Sequence, residues 1–276
     1  MPGSSTLIEG EAMKRLASVL LVLVLWGMAA TAGPLELGFG VGPSFTSLDS
    51  FNESIGVFNS LIDLLNDAFS VHPDVSGTVA RMPTIGSGLC LSAAENYRLT
   101  DWLALGAHFE YAGSSSETVG LYQGSEISQI DVSFNSHVVG VVLGGDITFV
   151  NLGLRLGASG GIGYFHTIFD RRAVFEIPEE YPDFIAGIPP EGEDRYTGGT
   201  LGLEAGITLS YPIFEWFTIA TKIIYRAAEV GSLSTSQGIE MDLDGDGQGE
   251  AVNLSGLAVE FAFSINIDLS LDGGKE

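Results

Sequence analysis

Residues 257–269 read LAVEFAFSINIDL, and along this stretch large apolar side chains alternate one by one with small or polar ones. The odd positions, from Leu257 to Leu269, are all apolar, whereas the even positions include Glu260 and Asp268. A period of two is typical of a β-strand whose two faces meet different surroundings. The stretch therefore predicts a strand with one apolar face and one polar face.

The same alternation recurs in seven other segments. It is clear in 102–111, 201–211 and 217–227, and less regular in 35–45, 84–97, 129–149 and 152–169. In segment 129–149 the apolar positions change parity between Phe134 and Val139, which predicts a β-bulge near Ser136 and His137. The chain is therefore predicted to contain eight strands.

The connections between these segments alternate strictly in length. Residues 98–101, 150–151 and 212–216 form short links, whereas 46–83, 112–128, 170–195 and 228–255 form long ones. Short turns on one side and long loops on the other are typical of barrels in bacterial outer membranes. An even number of strands also returns both chain ends to the same side.

The chemistry of the two faces indicates which one is external. The apolar face is nearly uninterrupted, and the opposite face is too small in volume to cover an exterior. In hydrocarbon every backbone polar group must be paired, and closing the sheet removes its edges. We therefore predict an all-β fold, an eight-stranded antiparallel up-and-down transmembrane β-barrel, against the alternative of a soluble β-sandwich. Aromatic residues beside the short links predict an interfacial girdle: Tyr97, Trp102, Phe149, Phe214, Trp216 and Phe217.

The composition combines a positive mean hydropathy of +0.30 with a formal net charge of -24. The 35 acidic against 11 basic residues argue against nucleic acid as a partner, because phosphate binding needs a basic surface. The same charge is compatible with cation binding. The single Cys90 excludes an internal disulfide framework.

The N-terminal region carries an export signal. Lys14 and Arg15 precede an apolar run from Leu16 to Trp26, and a small-residue motif predicts cleavage near Ala32. The acidic residues before Met13 do not suit such a signal, so we expect translation to begin at Met13. The expected domains are an N-terminal extension and signal peptide at 1–32, the barrel at 33–271 and a C-terminal tail at 272–276.

With this pattern the chain resembles small outer-membrane barrels of the OmpA-like and opacity-protein type over residues 35–271. The phrase YRLTDWLALGAHFEY at 97–111, a turn, girdle and strand, carries the resemblance best. The resemblance implies a location in the bacterial outer membrane, contact with its lipid, and partnership with the barrel-assembly machinery during biogenesis. Many relatives end in an aromatic residue, whereas this chain continues past Leu271 to Glu276.

The inward parity predicts a set of charged residues inside the barrel: Glu36, His108, Glu110, Arg155, Glu204, Lys222, Arg226, Glu260 and Asp268. Because eight strands leave little room and buried charges must pair, we expect a salt-bridge network. An alternative is a catalytic site, since His108 and Glu110 share a face, but no serine is placed with them. The many inward glycines leave open a second function, a narrow passive pore for small solutes or cations.

The first long connection predicts an amphipathic helix. Its apolar residues recur at steps of three and four: Phe51, Ile55, Phe58, Ile62, Leu65 and Phe69. Ser50 and Glu53 have the spacing of a capping box at its start. We expect the helix to cover or line the barrel mouth, with insertion into the lumen and a position on the membrane surface as alternatives.

The last long connection contains DLDGDGQGE at 242–250. Oxygen ligands at alternate positions with glycine between them resemble calcium-binding loops of the EF-hand kind. The resemblance implies Asp242, Asp244, Asp246 and Glu250 as Ca²⁺ ligands, with Gln248 supplying a carbonyl; Asn253 replaces the usual final glutamate. Residues 175–195 form a second acidic loop. The expected function is a non-enzymatic structural or surface-interaction role, its external ligand unidentified.

Overall fold

The computed structural model describes residues 34–71, 76–123, 127–176, 192–242, 249 and 251–267. The barrel strands are β1 (Leu35–Thr46), β3 (Ser87–Arg98), β4 (Leu103–Gln123), β5 (Ile127–Leu152), β6 (Leu154–Glu176), β7 (Gly192–Phe214), β8 (Phe217–Ala227) and β11 (Gly256–Ile267). The remaining elements are helix α1 (Asp49–Ser70) and the short strands β2 (Ser76–Val79), β9 (Glu229–Val230) and β10 (Val252–Asn253). The predicted signal peptide and C-terminal tail lie outside the described residues.

Among the described residues, eight strands close a ring. The order is β1, β3, β4, β5, β6, β7, β8 and β11, and β11 pairs again with β1. Every pairing is antiparallel, and the register is continuous through long stretches such as Leu103↔Ile147 to Gln123↔Ile127. Strand β2 adds to the outer end of β4, beyond the point where β3 begins at Ser87. The predicted eight-stranded barrel is confirmed.

The outer surface of this ring is apolar. Large side chains that point away from the lumen are strongly exposed, for example Leu201 at 73% and Phe261 at 65%. Near the short links, Trp102, Phe149 and Trp216 are exposed as well. Such a surface is stable when its surroundings are hydrocarbon. None of the helical residues described here forms a segment long and apolar enough to cross a membrane.

Four strands are much longer than a membrane requires. Strands β4 to β7 contain 21 to 26 residues, whereas about 9–11 residues cross a bilayer. The predicted loop at 112–128 is therefore wrong, because β4 continues to Gln123 and β5 begins at Ile127. Its polar residues belong to strand: Ser116 and Thr118 point inward and donate hydrogen bonds to the carbonyls of Pro83 and Ala80.

The predicted bulge near Ser136 and His137 is also wrong. Strand β5 keeps one register through this region, and its only shift lies between Thr148 and Val150. Even-numbered residues from Ile130 to Thr148 face inward, and both Ile130 and Val142 are buried. The apolar parity changes because the chemistry of the lumen changes: charged side chains fill its inner part, and an apolar core fills its outer part.

Helix α1 supplies that apolar core. All six residues of its predicted apolar face are buried, and Ile62 is 0% exposed. The ring of Phe51 lies 4.1 Å from that of Phe169 on β6, and Phe69 lies 4.4 Å from Tyr122 on β4. The helix thus packs against the inner face of the strands beyond the charged layer.

The start of α1 differs from the prediction. The N-cap residue is Leu48, and no side chain caps it, so the Ser50–Glu53 capping box is wrong. Ser50 instead donates its hydroxyl toward the carbonyl of Ala251, 3.4 Å away. The Ser50 hydroxyl therefore binds the last loop instead of capping the helix.

Three asparagines bind α1 to the chain segment that follows it. Asn59 donates its amide N–H to the carbonyl of Met82 (2.9 Å), and its amide oxygen accepts from the Met82 N–H (2.7 Å). Asn52 pairs in the same way with Ile85, and Asn66 with Val79. These three asparagines, the asparagine ladder, supply the extended segment 79–85 with hydrogen bonds of the kind that a neighbouring strand would otherwise provide.

Candidate functional site

The lumen is crossed by an ion pair between two opposite strands. Arg226 on β8 donates to the carboxylate of Glu110 on β4, and both side chains are buried. Four steps around the ring separate these strands in either direction. Arg226 also donates through Nε to the carbonyl of Leu254 (3.0 Å), and its guanidinium lies over the ring of Phe165, 5.3 Å from the centroid.

A second pair lies beside the first. His108 Nε2 on β4 is 2.6 Å from Glu204 Oε2 on β7, and the Glu204 side chain is 3% exposed. His108 is thus the partner of Glu204 Oε2, whereas Glu204 Oε1 is buried without a hydrogen-bond partner among the described residues. Ligand atoms of His108, Glu110 and Glu204 all lie within 4.8 Å of one another.

Glu260 on β11 reaches across β1 to the strand beyond. It accepts hydrogen bonds from Ser92 Oγ at 2.7 Å and from Cys90 Sγ at 3.2 Å, both on β3. Gly40 on the intervening strand leaves the space, because a Cβ there would lie 2.6 Å from Glu260 Oε2. Cys90 is thus a buried thiol that donates to a carboxylate.

Polar groups also line the inner end of the lumen, next to the short links. Arg98 donates to Glu36 at 3.2 Å, and Asn96 donates to Asp146 at 3.1 Å. A cavity of about 90 Å³ is lined by Glu36, Asp146, Arg155 and Lys222 among others. A second cavity of about 50 Å³ continues from it toward His108 and Glu204, with Asn96, Asp146 and Lys222 lining both.

The outer end of the lumen is filled differently. Phe165 is 0% exposed beneath Arg226, and α1 packs above it through Phe51 and Phe169. The lumen therefore has three layers: a polar vestibule, a charged middle layer, and an apolar outer core.

Eight of the nine charged residues predicted for the interior point inward in the structure: Glu36, His108, Glu110, Arg155, Glu204, Lys222, Arg226 and Glu260. Asp268 lies outside the described residues. Asp146 and Arg98 also point inward and share the inward parity of their strands, but they were not predicted. The meeting of His108, Glu110 and Glu204 was not predicted either, since nothing in the sequence spacing relates β4 to β7.

The predicted calcium loop is described at its start and near its end. Asp242 is exposed, and Gly249 packs against Glu240, whose Oε2 would lie 2.7 Å from a Cβ at position 249. The two flanks of segment 243–248 therefore approach each other. The other predicted ligands, Asp244, Asp246, Gln248 and Glu250, lie outside the described residues.

The outer ends of β5, β6 and β7 carry a cross-strand ladder of charges. Arg195 donates to Asp170 at 2.7 Å, and Arg171 pairs with Asp194. Arg172 lies 3.8 Å from Asp131 and 3.5 Å from Glu193. Acidic side chains that the sequence placed in a loop are thus partly paired on strands.

No protein-family model matches the chain, and no curated protein sequence matches it. Among solved structures, it is similar to the outer membrane protein OprG from Pseudomonas aeruginosa, with 12% identity, a TM-score of 0.45, and coverage of 87% of this chain and 98% of that one. It is similar to Ail, the attachment invasion locus protein of Yersinia pestis, solved with the heparin analogue sucrose octasulfate; the identity is 12%, the TM-score is 0.34, and the match covers 85% of this chain and 97% of that one. It is also similar to the outer membrane protease OmpT from Escherichia coli, with 7% identity, a TM-score of 0.33, and coverage of 86% of this chain and 98% of that one. At such identities the likeness concerns the fold alone.

Proposed function

We propose that this chain is a closed, non-conducting barrel of the bacterial outer membrane, with a structural or surface-interaction role. The observation that carries the proposal is the Arg226–Glu110 pair, which spans the lumen from one wall to the opposite one. Phe165 lies directly against this pair, and α1 fills the space beyond it. An ion or solute would have to displace all three.

The membrane assignment follows from the surface of the barrel. Strongly exposed leucine, isoleucine and phenylalanine side chains cover its outside, and lipid is the surrounding in which such a surface is stable. The predicted signal peptide supplies the export route. The long outer ends of β4 to β7 then project from the membrane and present the ladder of paired charges to the outside.

A narrow passive pore is the second candidate. It is favoured by the two polar cavities of the vestibule and middle layer, which together reach from the short links to His108. In this alternative the Arg226–Glu110 pair would act as a gate, and its opening would admit small cations.

Planar-bilayer conductance of the refolded full chain tests the closed barrel. We expect no discrete openings from the wild type and none from Leu64→Asp, because Leu64 is 63% exposed on α1. Ile62→Asp places a charge on the fully buried face of the helix and should displace it, which widens the mouth. Reproducible openings from the wild type would favour the pore.

We further propose that segment 242–250 binds Ca²⁺ outside the membrane. Its alternating oxygen ligands suit a hard cation, and Glu240 beside Gly249 adds a carboxylate close to the segment. Calorimetric titration with Ca²⁺ should give binding heat with the wild type. The same heat is expected with the control Asp67→Ala, which removes an acidic side chain from α1 instead of from the segment. The heat should disappear with Asp244→Ala; a wild type without binding heat would end the proposal.

A further inference from the structure

We propose that His108, Glu110 and Glu204 form a binding site for one divalent transition-metal ion, with Zn²⁺ as the ion that fits best. One imidazole nitrogen and two carboxylates are a donor set that zinc accepts. The site lies inside the barrel and is separate from the external loop 242–250. It goes beyond the closed-barrel proposal and does not rest on it.

The positions of the three donors support a single ion. Their ligand atoms lie within 4.8 Å of one another. Bonds of roughly 2.0–2.2 Å to zinc bring ligand atoms to about 3–4 Å apart, so small side-chain rotations complete the geometry. The donors come from β4 and β7, and the hydrogen-bonded barrel wall fixes the distance between those strands.

The surroundings of Glu204 are the second observation that points to a ligand. Its Oε1 is buried without a hydrogen-bond partner, and its Oε2 contacts only His108 Nε2, 2.6 Å away. Buried polar atoms are nearly always satisfied in folded proteins, and a bound ion is one of the causes that explain an exception. Once the 2.6 Å contact between His108 and Glu204 opens to about 3–4 Å, an ion held by both side chains would satisfy these atoms by coordination.

The local charge also favours a divalent ion. Among the described side chains around the middle layer, four carboxylates (Glu110, Asp146, Glu204 and Glu260) accompany two fixed cations (Arg226 and Lys222). Because the acidic side chains outnumber the fixed cations, this layer favours a bound cation. Arg226 holds Glu110 by a hydrogen bond and so orients this ligand toward the others.

The adjoining cavity supplies the remaining requirements of a metal site. His108 and Glu204 line a space of about 50 Å³, and a water molecule needs only about 10–15 Å³. A water there can complete four-fold coordination, as in zinc sites with three protein ligands. The vestibule that shares Asp146 and Lys222 with this cavity offers a path of entry from the side of the short links.

Zinc binding to the full chain refolded in detergent tests the proposal. Titration calorimetry and metal analysis after dialysis should give one Zn²⁺ per chain for the wild type. The same result is expected for Asp244→Ala, which separates this site from the external loop, and for His137→Gln. His137 is a suitable control because it binds Tyr111 away from the lumen. His108→Gln and Glu204→Gln should each weaken binding at least about 10–100-fold.

Equal zinc affinity in His108→Gln and the wild type would overturn the proposal. If the lumen variants fail to fold, Co²⁺ bound to the wild type decides instead. A four-coordinate site gives intense visible absorption bands, and X-ray absorption should show one nitrogen ligand together with oxygen ligands. Weak bands of an aquo ion would overturn the proposal. Zinc and cobalt binding do not depend on ion flow, so this result is independent of whether the barrel conducts.

Discussion

Arg226 donates a hydrogen bond to Glu110 across the full width of the barrel, from β8 to β4 on the opposite wall. Neither residue has another described partner of opposite charge that is held at ion-pair distance. A buried pair of this kind contributes little net stability compared with apolar side chains of the same size, because both charges lose their hydration. The pair does, however, fix which side chains can occupy the lumen. Removing one partner leaves the other charge buried without compensation for its lost hydration.

The first prediction concerns the loss of one partner. Arg226→Met removes the guanidinium and leaves the Glu110 carboxylate buried without it, so the free energy of unfolding should fall by about 3–5 kcal/mol. Urea unfolding of the protein in lipid vesicles measures this change. The double variant Glu110→Leu with Arg226→Met should recover most of the loss, since no charge is left buried. A double variant as unstable as the single one would contradict this account of the pair.

The second prediction concerns the asparagine ladder. Asn59→Ala removes both hydrogen bonds to Met82 and leaves a main-chain N–H and carbonyl without partners beside a buried side chain. We expect a loss of about 1–3 kcal/mol in the free energy of unfolding. Ser60→Ala is the matched control, because Ser60 is exposed and bonds only to Gly56 in its own helix. The ladder has no structural role if the two variants are equally stable.

The ladder also illustrates what the sequence leaves hidden. The apolar face of α1 was predictable residue by residue, because burial imposes a helical period. Asn52, Asn59 and Asn66 recur at every seventh residue, and that spacing places them on one face of the helix. Their partners, Ile85, Met82 and Val79, lie at every third residue of an extended segment. The seven-residue spacing of the asparagines was visible in the sequence, but the main-chain groups that they bind were not.

The strands of the barrel were predictable for a related reason, and the same reason explains why a bulge was wrongly predicted in β5. Lipid outside and charge inside make each strand alternate, so eight segments and their short links could be found. Where α1 replaces the charged filling, Ile130 and Val132 are apolar on the inner face and the alternation inverts. A pattern in one strand cannot distinguish this inversion from a bulge. Likewise, the meeting of His108 with Glu204 depends on how the ring closes.

The third prediction tests the passage of Glu260 across β1. Gly40→Ala should destabilise the barrel by about 1–3 kcal/mol, because a Cβ there lies 2.6 Å from both Glu260 Oε2 and Ser92 Oγ and breaks their hydrogen bond. Gly38→Ala is a close control: it faces the same lumen two residues earlier, and its Cβ would meet Ala94 at an ordinary 3.6 Å. Urea unfolding of both variants gives the comparison. Equal stabilities would mean that Glu260 can move aside without cost.

The fourth prediction concerns pH and the outer surface of α1. Arg81 donates two hydrogen bonds to Asp63, 2.9 Å and 2.5 Å long, and these lower the pKa of the Asp63 carboxyl below its ordinary value of 3.8. Because the folded-state pKa is the lower one, the pair stabilises the folded chain above about pH 3.8, and this contribution disappears as the pH falls through the folded pKa. Both side chains are well exposed, so solvent screens the pair and the effect on stability is small. In Arg81→Gln the pKa of Asp63, followed by carboxyl ¹³C NMR, should rise toward 3.8, whereas Arg172→Gln on β6 should leave it unchanged. An Asp63 pKa that is insensitive to Arg81→Gln would show that the two side chains do not stay paired in solution.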